Sequence, residues 1–259
     1  MTDAKPLALK ETERFSRRVE DYVRYRPSYP ARLPHWLHRD AGVAPDALIA
    51  DIGAGTGIST EMFLSAGHEV TAVEPNAAMR EAADAWLEAR PGYRSVAGQA
   101  EATGLADASV DVVTAAQAFH WFDQQAVRRE WRRILKPGGV AAVFWNSRRL
   151  SGTPFLDGYE ALLQRFGTDY AAVAERYASD EAMQAWFGQG LIARTRFEYV
   201  QSMVFDALAG RLRSSPYAPP PDHHDHAPMM AALRELFDAC AERDRVAMVY
   251  DTRIFVGTP

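Results

Sequence analysis

Apolar positions along the chain fall into short continuous runs separated by stretches where they recur every three or four residues, a rhythm that predicts alternating strands and helices. Residues 48–52 form the first apolar run, a buried strand. A turn holding Gly53, Gly55 and Gly57 follows, then a helix with Ile58, Met62, Phe63 and Leu64 on its inner side. Further strands are predicted over 69–75, 93–96, 110–115 and 140–146, with helices over 77–89 and 124–135 between them. Asp123 is placed to cap the second of these helices, and the LKPGG run ends it. An amphipathic helix within 31–46, carrying Leu33, Trp36 and Leu37, precedes the first strand. This spacing is that of an α/β fold built on a mostly parallel, doubly wound sheet.

Beyond residue 150 the rhythm changes. Residues 151–190 are helical and amphipathic with no strand among them, and are expected to form an inserted helical cap. Strands return over 195–205 and 246–256, with a helix over 229–241 between them. The chain is therefore expected to be a single domain over 1–259, with residues 1–30 as an N-terminal arm.

Composition narrows the function classes. A hydrophobic content of 47% over 259 residues suffices for a sizeable core. The net charge is −5 with Lys and Arg dispersed, which argues against nucleic acid or an anionic membrane as partner. Cys240 stands alone, no apolar run approaches the roughly 20 residues of a membrane span, and the first residues lack the apolar core of a leader peptide. A cytoplasmic protein is expected.

The glycine turn is the first candidate site, because glycine takes positive φ cheaply and leaves backbone bare for a ligand. By itself it leaves two cofactors open, a dinucleotide and S-adenosyl-L-methionine. The dinucleotide pattern G-x-G-x-x-G/A would put a small residue where Ile58 stands. Glu74, at the carboxyl end of the second strand, is placed to accept hydrogen bonds from ribose hydroxyls in either case. Ligands in such sheets collect outside the carboxyl ends of the strands, so Gln99, Ala100, Glu101, Gln117, Phe119, His120, Trp121, Trp145, Asn146 and Arg148 are further candidates. Tyr22, Tyr25 and Tyr29, with Arg24 and Arg26, form a candidate lid; the alternative is an arm packed on the surface. The histidines of PPPDHHDH, 219–226, are read as a solvated loop leading into a helix, with no metal expected.

DIGAGTG (51–57), VEPNAAM (73–79), GQAEATGLADASVDVVTAAQAFHWF (98–122) and LKPGGVAAVFWN (135–146) together resemble the successive motifs of the class I S-adenosylmethionine-dependent methyltransferases. The opening FSRRVEDYVRYRPSYP and the terminal strand are similar to a small-molecule branch that includes relatives of trans-aconitate methyltransferases. The resemblance implies a Rossmann-like, seven-stranded sheet whose last strand is antiparallel. It implies that Asp51, Gly53, Gly55 and Thr56 line the amino-acid end of S-adenosylmethionine and that Glu74 holds its ribose. Asn76 and Met79 would flank the adenine, Gln99, Ala100 and Glu101 would reach its edge, and Gln117 would lie near the methionine portion. Tyr22 would close over the cofactor. Phe119, Trp121, Trp145, Asn146 and Arg148 would face a small-molecule acceptor, with oxygen as the methylated atom and His120 as candidate base. The alternatives are an NAD-dependent oxidoreductase and a non-catalytic S-adenosylmethionine-binding regulator.

Overall fold

The computed structural model describes residues 25–168, 170 and 179–259. Seven strands form one sheet in the order β3-β2-β1-β4-β5-β7-β6. They are β1 (Ile49–Ile52), β2 (Val70–Val73), β3 (Tyr93–Val96), β4 (Val110–Ala116), β5 (Leu135–Arg148), β6 (Leu191–Met203) and β7 (Val246–Gly257). The pairs β1/β2, β1/β4, β2/β3 and β4/β5 are parallel. The last strand is antiparallel. On β5 and β7 the partners run in opposite directions, Asn146 meeting Thr252 while Arg149 meets Val249. This is the α/β fold that the alternation of runs predicted, with the mixed, Rossmann-like sheet that the resemblance implied.

By internal contacts the chain divides into two compact units. The first comprises residues 28–146, 178–197 and 252–259. Its helices are α1 (Arg32–Ala41), α2 (Ile58–Ser65), α3 (Ala77–Leu87), α4 (Gln124–Ile134) and α6 (Asp180–Phe187), with 3-10 turns at Phe119–Trp121 and Gly188–Gly190. Strand side chains alternate between two apolar clusters. Ile49, Val112, Ala142 and Phe144 join one, with Leu33, Leu37 and Phe63 from α1 and α2. Ala50, Val113, Ala141, Val143 and Trp145 join the other, with Trp131 of α4 and Met183 and Trp186 of α6. Both faces of the parallel strands are thus covered, which is why they read as unbroken apolar runs.

The second unit comprises residues up to 27, 147–177 and 198–251. It contains α5 (Pro154–Phe166), α7 (Phe205–Arg213) and α8 (His226–Cys240). Phe155, Tyr159, Leu163, Leu208, Leu212, Leu233, Phe237, Met248 and Tyr250 make its core. Residues 151–190, read from sequence as one insertion, contribute α5 to this unit and α6 to the first.

Some elements differ from the sequence reading. The LKPGG run does not simply close a helix, because β5 already begins at Leu135. Leu135 pairs with Val110 and Val140 with Val112, so the intervening Lys-Pro-Gly-Gly is taken up as a bulge, Gly138 at φ 83° supplying the left-handed residue. Strand β6 begins at Leu191 rather than 195. Helix α7 was not foreseen, although Leu208, Ala209 and Leu212 carry the helical spacing that buries them.

Candidate functional site

The turn after β1 is shaped by three left-handed glycines, Gly53, Gly55 and Gly57, at φ 68°, 58° and 85°. A side chain at each would meet a different obstacle. At Gly53 an added Cβ would lie 2.7 Å from the Ala118 Cβ and 3.1 Å from the Phe122 ring, so its bare face admits another part of the protein. At Gly57 it would meet Leu87 of α3 at 2.5 Å. Only Gly55 faces open space, its one neighbour being the Met79 sulfur at 3.7 Å. The backbone left bare for a ligand is therefore at Gly55.

Beneath the turn, Asp51 is fully buried. One carboxylate oxygen accepts Ser59 and Thr60 hydroxyls at 2.6 and 2.7 Å, and the other accepts the Thr114 hydroxyl at 2.9 Å. Burial pushes its pKa up, and the three hydroxyl donors pull it back. Asp51 thus braces β1, α2 and β4 from inside.

Glu74, just past β2, is nearly buried and accepts the amides of Gly55 at 3.0 Å and Asn76 at 2.9 Å. Burial raises its pKa, opposed by those two amides. Asn76 caps α3 through its side-chain oxygen, which accepts the Met79 amide at 3.2 Å. Glu74, Asn76, Met79 and Gly55 are therefore brought together. Two side-chain oxygens at strand ends are buried without a hydrogen-bond partner, the Thr56 hydroxyl and the Gln117 amide oxygen. Such orphans are costly unless something supplies a donor or acceptor, so they fit a polar ligand. Gln117 also adopts a left-handed φ of 57°, while its amide nitrogen donates to the Asn146 carbonyl at 3.2 Å.

The loop after β3 is fastened by a residue that sequence reading missed. Glu130 of α4 accepts both the amide and the hydroxyl of Thr103, at 2.8 and 2.6 Å, and pairs through both oxygens with Arg133. Gln99 is exposed, Ala100 is buried, and Glu101 accepts the Asp123 amide at 2.9 Å. The available signal was an acid on the otherwise apolar face of α4, where a buried charge requires partners.

The residues expected to face an acceptor separate. Phe119 and Trp145 are fully buried in the aromatic core with Trp131, Trp186 and Phe255, and form no open box. His120 accepts the Trp145 indole N–H on Nδ1 at 3.4 Å and lies beside Trp121, which is 39% exposed. Asn146 donates to the Ser28 carbonyl at 2.8 Å and accepts the Thr252 hydroxyl at 2.6 Å. Tyr29 packs edge-on against Phe144 at 4.9 Å, in the core rather than in a lid. Tyr22 lies outside the described residues. Arg148 belongs to the second unit, where its guanidinium donates to Glu160 and to the Tyr170 hydroxyl.

Against this geometry stand the comparisons with known proteins. Residues 50–143 match the family model of a methyltransferase domain. Over the segment that carries the glycine turn the chain is thus similar to methyltransferases. The chain is 33% identical over 152 residues to an uncharacterized methyltransferase of Schizosaccharomyces pombe, covering 58% of this chain and 59% of that protein. It is 39% identical over 134 residues to an uncharacterized methyltransferase of Mycobacterium tuberculosis, covering 52% of each. A candidate type II methyltransferase of Anaeromyxobacter dehalogenans superposes with a TM-score of 0.65 at 25% identity, over 90% of this chain and 98% of that one. The chain spans between half and three-fifths of the length of these curated relatives.

Two other features of the described residues compete with the glycine turn and fall short. A cleft of about 370 Å³ lined by Arg132, Arg133, Lys136 and Pro259 lies at the start of β5, at the end of the sheet opposite the turn. Its charges are already matched, Arg133 by Glu130 and Asp107, and Lys136 by Asp111. In the second unit, His223, His224 and Asp225 bring potential ligand atoms within 4.8 Å of one another. There the His223 Nδ1 already accepts the Asp225 amide at 3.2 Å.

Proposed function

We propose that the protein transfers the methyl group of S-adenosylmethionine to an oxygen of a small molecule, through the cluster at the carboxyl ends of β1, β2 and β4. The observation that carries this reading is the hydrogen bond from Gly55 to Glu74, which ties the open glycine of the turn to the acid after β2. Each Glu74 oxygen accepts one amide, and a carboxylate offers about four lone-pair sites in all, so capacity remains for two ribose hydroxyls. Asn76 and Met79 would flank the adenine, Gln99, Ala100 and Glu101 its edge, and Thr56 and Gln117 the methionine portion, where both carry unpartnered oxygens.

When bound, S-adenosylmethionine supplies an electrophilic methyl on a sulfonium, already a good leaving group. The protein then has chiefly to align acceptor, carbon and sulfur, and positioning alone is worth several kcal/mol. A carboxylate acceptor needs no base. That suits His120, whose Nδ1 is engaged by Trp145. A small rather than nucleic-acid acceptor is supported by the net charge of −5, and a cytoplasmic location accords with the single cysteine. Among the described residues no helix is long and apolar enough to cross a membrane.

Calorimetric titration with S-adenosylmethionine and its demethylated product, followed by transfer of labelled methyl to a panel of small acids and alcohols, tests the proposal. Saturable binding with label in an ester or ether supports it. No binding, or label only on nitrogen or carbon, overturns it.

A further inference from the structure

The second unit holds a buried cation that no acid among the described residues neutralises. Arg211, in the last turn of α7, is 8% exposed. Its Nη1 donates to the Ser215 hydroxyl at 2.9 Å and its Nε reaches the Tyr250 hydroxyl at 3.4 Å. Its electrostatic neighbours are the phenols of Tyr250, Tyr217 and Tyr159, and among the described residues no carboxylate lies within ion-pair distance of it. Arg148 provides the contrast within the same cluster. It lies over the Tyr159 ring at 5.1 Å and is matched by Glu160. Among the described residues two guanidinium groups therefore share the tyrosine cluster with one acid, and the surplus charge sits on Arg211.

A guanidinium taken out of water without a counter-charge is costly, and hydroxyl partners leave most of that cost standing. The carboxyl end of α7 compensates with only about half an elementary charge, shared among its last carbonyls. The arrangement is that of a receptor awaiting its anion. A planar guanidinium presents paired N–H donors that match a carboxylate, and neighbouring phenols can add O–H donors to the same oxygens. The residue keeps part of its surface accessible, so it is not sealed.

We propose that Arg211, with Ser215, Tyr159, Tyr217 and Tyr250, forms a binding site for the carboxylate of a small molecule. This binding does not rest on the methyl-transfer reading above. Arg148, which the sequence suggested for an acceptor, already has an acid.

The test uses the full chain and thermal unfolding at constant ionic strength, with acetate, succinate and citrate against inorganic phosphate, sulfate and chloride. A saturable rise in Tm with at least one carboxylate, absent with chloride, is expected. Arg211→Lys should weaken that carboxylate at least tenfold, because lysine cannot present paired donors. Ser215→Ala and Tyr250→Phe, which leave the charge in place, should each weaken it severalfold and serve if the arginine variant does not fold. Stabilisation by phosphate or sulfate alone, equal response to chloride, or undiminished affinity in all three variants would overturn the site. S-adenosylmethionine titrated into the same samples separates the two proposals. If it fails to bind, the methyl-transfer reading falls while carboxylate binding is still measured; if it binds and no carboxylate does, only the anion site falls.

Discussion

The amide of Gly55 donates to the carboxylate of Glu74 at 3.0 Å, so the glycine turn and the end of β2 form one hydrogen-bonded body. Replacing Glu74 by Gln keeps one amide acceptor and turns an N–H donor toward the other amide. Glu74→Gln is expected to weaken S-adenosylmethionine binding by about 10-fold or more, since hydrogen bonds to a charged group are worth roughly 1.5–3 kcal/mol. Calorimetry checks this, and unchanged affinity would remove Glu74 from the site.

A second prediction concerns the acid that fastens the Thr103 loop. The paired N–H groups of Arg133 hold Glu130 in its charged form, burial opposes them, and the Thr103 hydroxyl and amide add to the pull, bringing its pKa from 4.5 to about 2. A depressed folded-state pKa stabilises above the unfolded value and loses that stabilisation as pH falls through the folded one. Glu130→Gln should therefore cost roughly 3 kcal/mol at pH 7, at 1.36 kcal/mol per pKa unit. The gap between wild type and variant should narrow below about pH 4.5 and close near pH 2. Urea unfolding across this range measures it, and a gap independent of pH would show that the ionised acid is not what matters.

The third concerns the pairing of Arg148. The side chains of Arg148 and Glu160 are only 10% and 15% exposed, and the Tyr170 hydroxyl donates to the same Glu160 oxygen at 2.6 Å. Arg148→Met would strand a largely buried carboxylate, at a cost of about 3–5 kcal/mol. The double variant Arg148→Met, Glu160→Gln should recover much of that loss. A double variant as unstable as the single would mean that packing, not charge, sets the cost.

The fourth uses the Trp145 contact to fix a proton. An indole N–H can only donate, so the His120 Nδ1 facing it at 3.4 Å must offer its lone pair, and the neutral ring then carries its proton on Nε2. Nitrogen-15 spectra should show the Nε2–H tautomer. With a carboxylate acceptor, His120→Ala should change the rate by less than about 10-fold, below the 10²–10⁴ of a general base. A larger loss, with an ionisation limb removed from the pH profile, would make the histidine a base after all.

What could be read in the sequence was what neighbouring residues decide. The glycine turn, the Asp123 cap and the bounds of β3 depend on a few adjacent positions, and they stand where the pattern put them. The acceptor side was less legible, because a strand end gives a residue's position but not its direction. Trp145 continues the alternation of Ala141 and Val143 into the core, a signal open to anyone who extended the period by one step. The match between Arg148 and Glu160 crosses from β5 to α5, and Thr103 meets Glu130 across twenty-seven residues. No local pattern announces such partners. The isolation of Arg211 from the acids of the described residues could be seen only in the folded chain.

The brace under the turn bears on inheritance. Asp51 holds the hydroxyls of Ser59, Thr60 and Thr114 inside a sealed space, so each of the four depends on the others for a partner. A lineage that lost the carboxylate would strand three hydroxyls at once, and one that lost a hydroxyl would leave the charge less well solvated. Drift at any one position is therefore punished by the remaining three, and the set passes down as a single heritable trait.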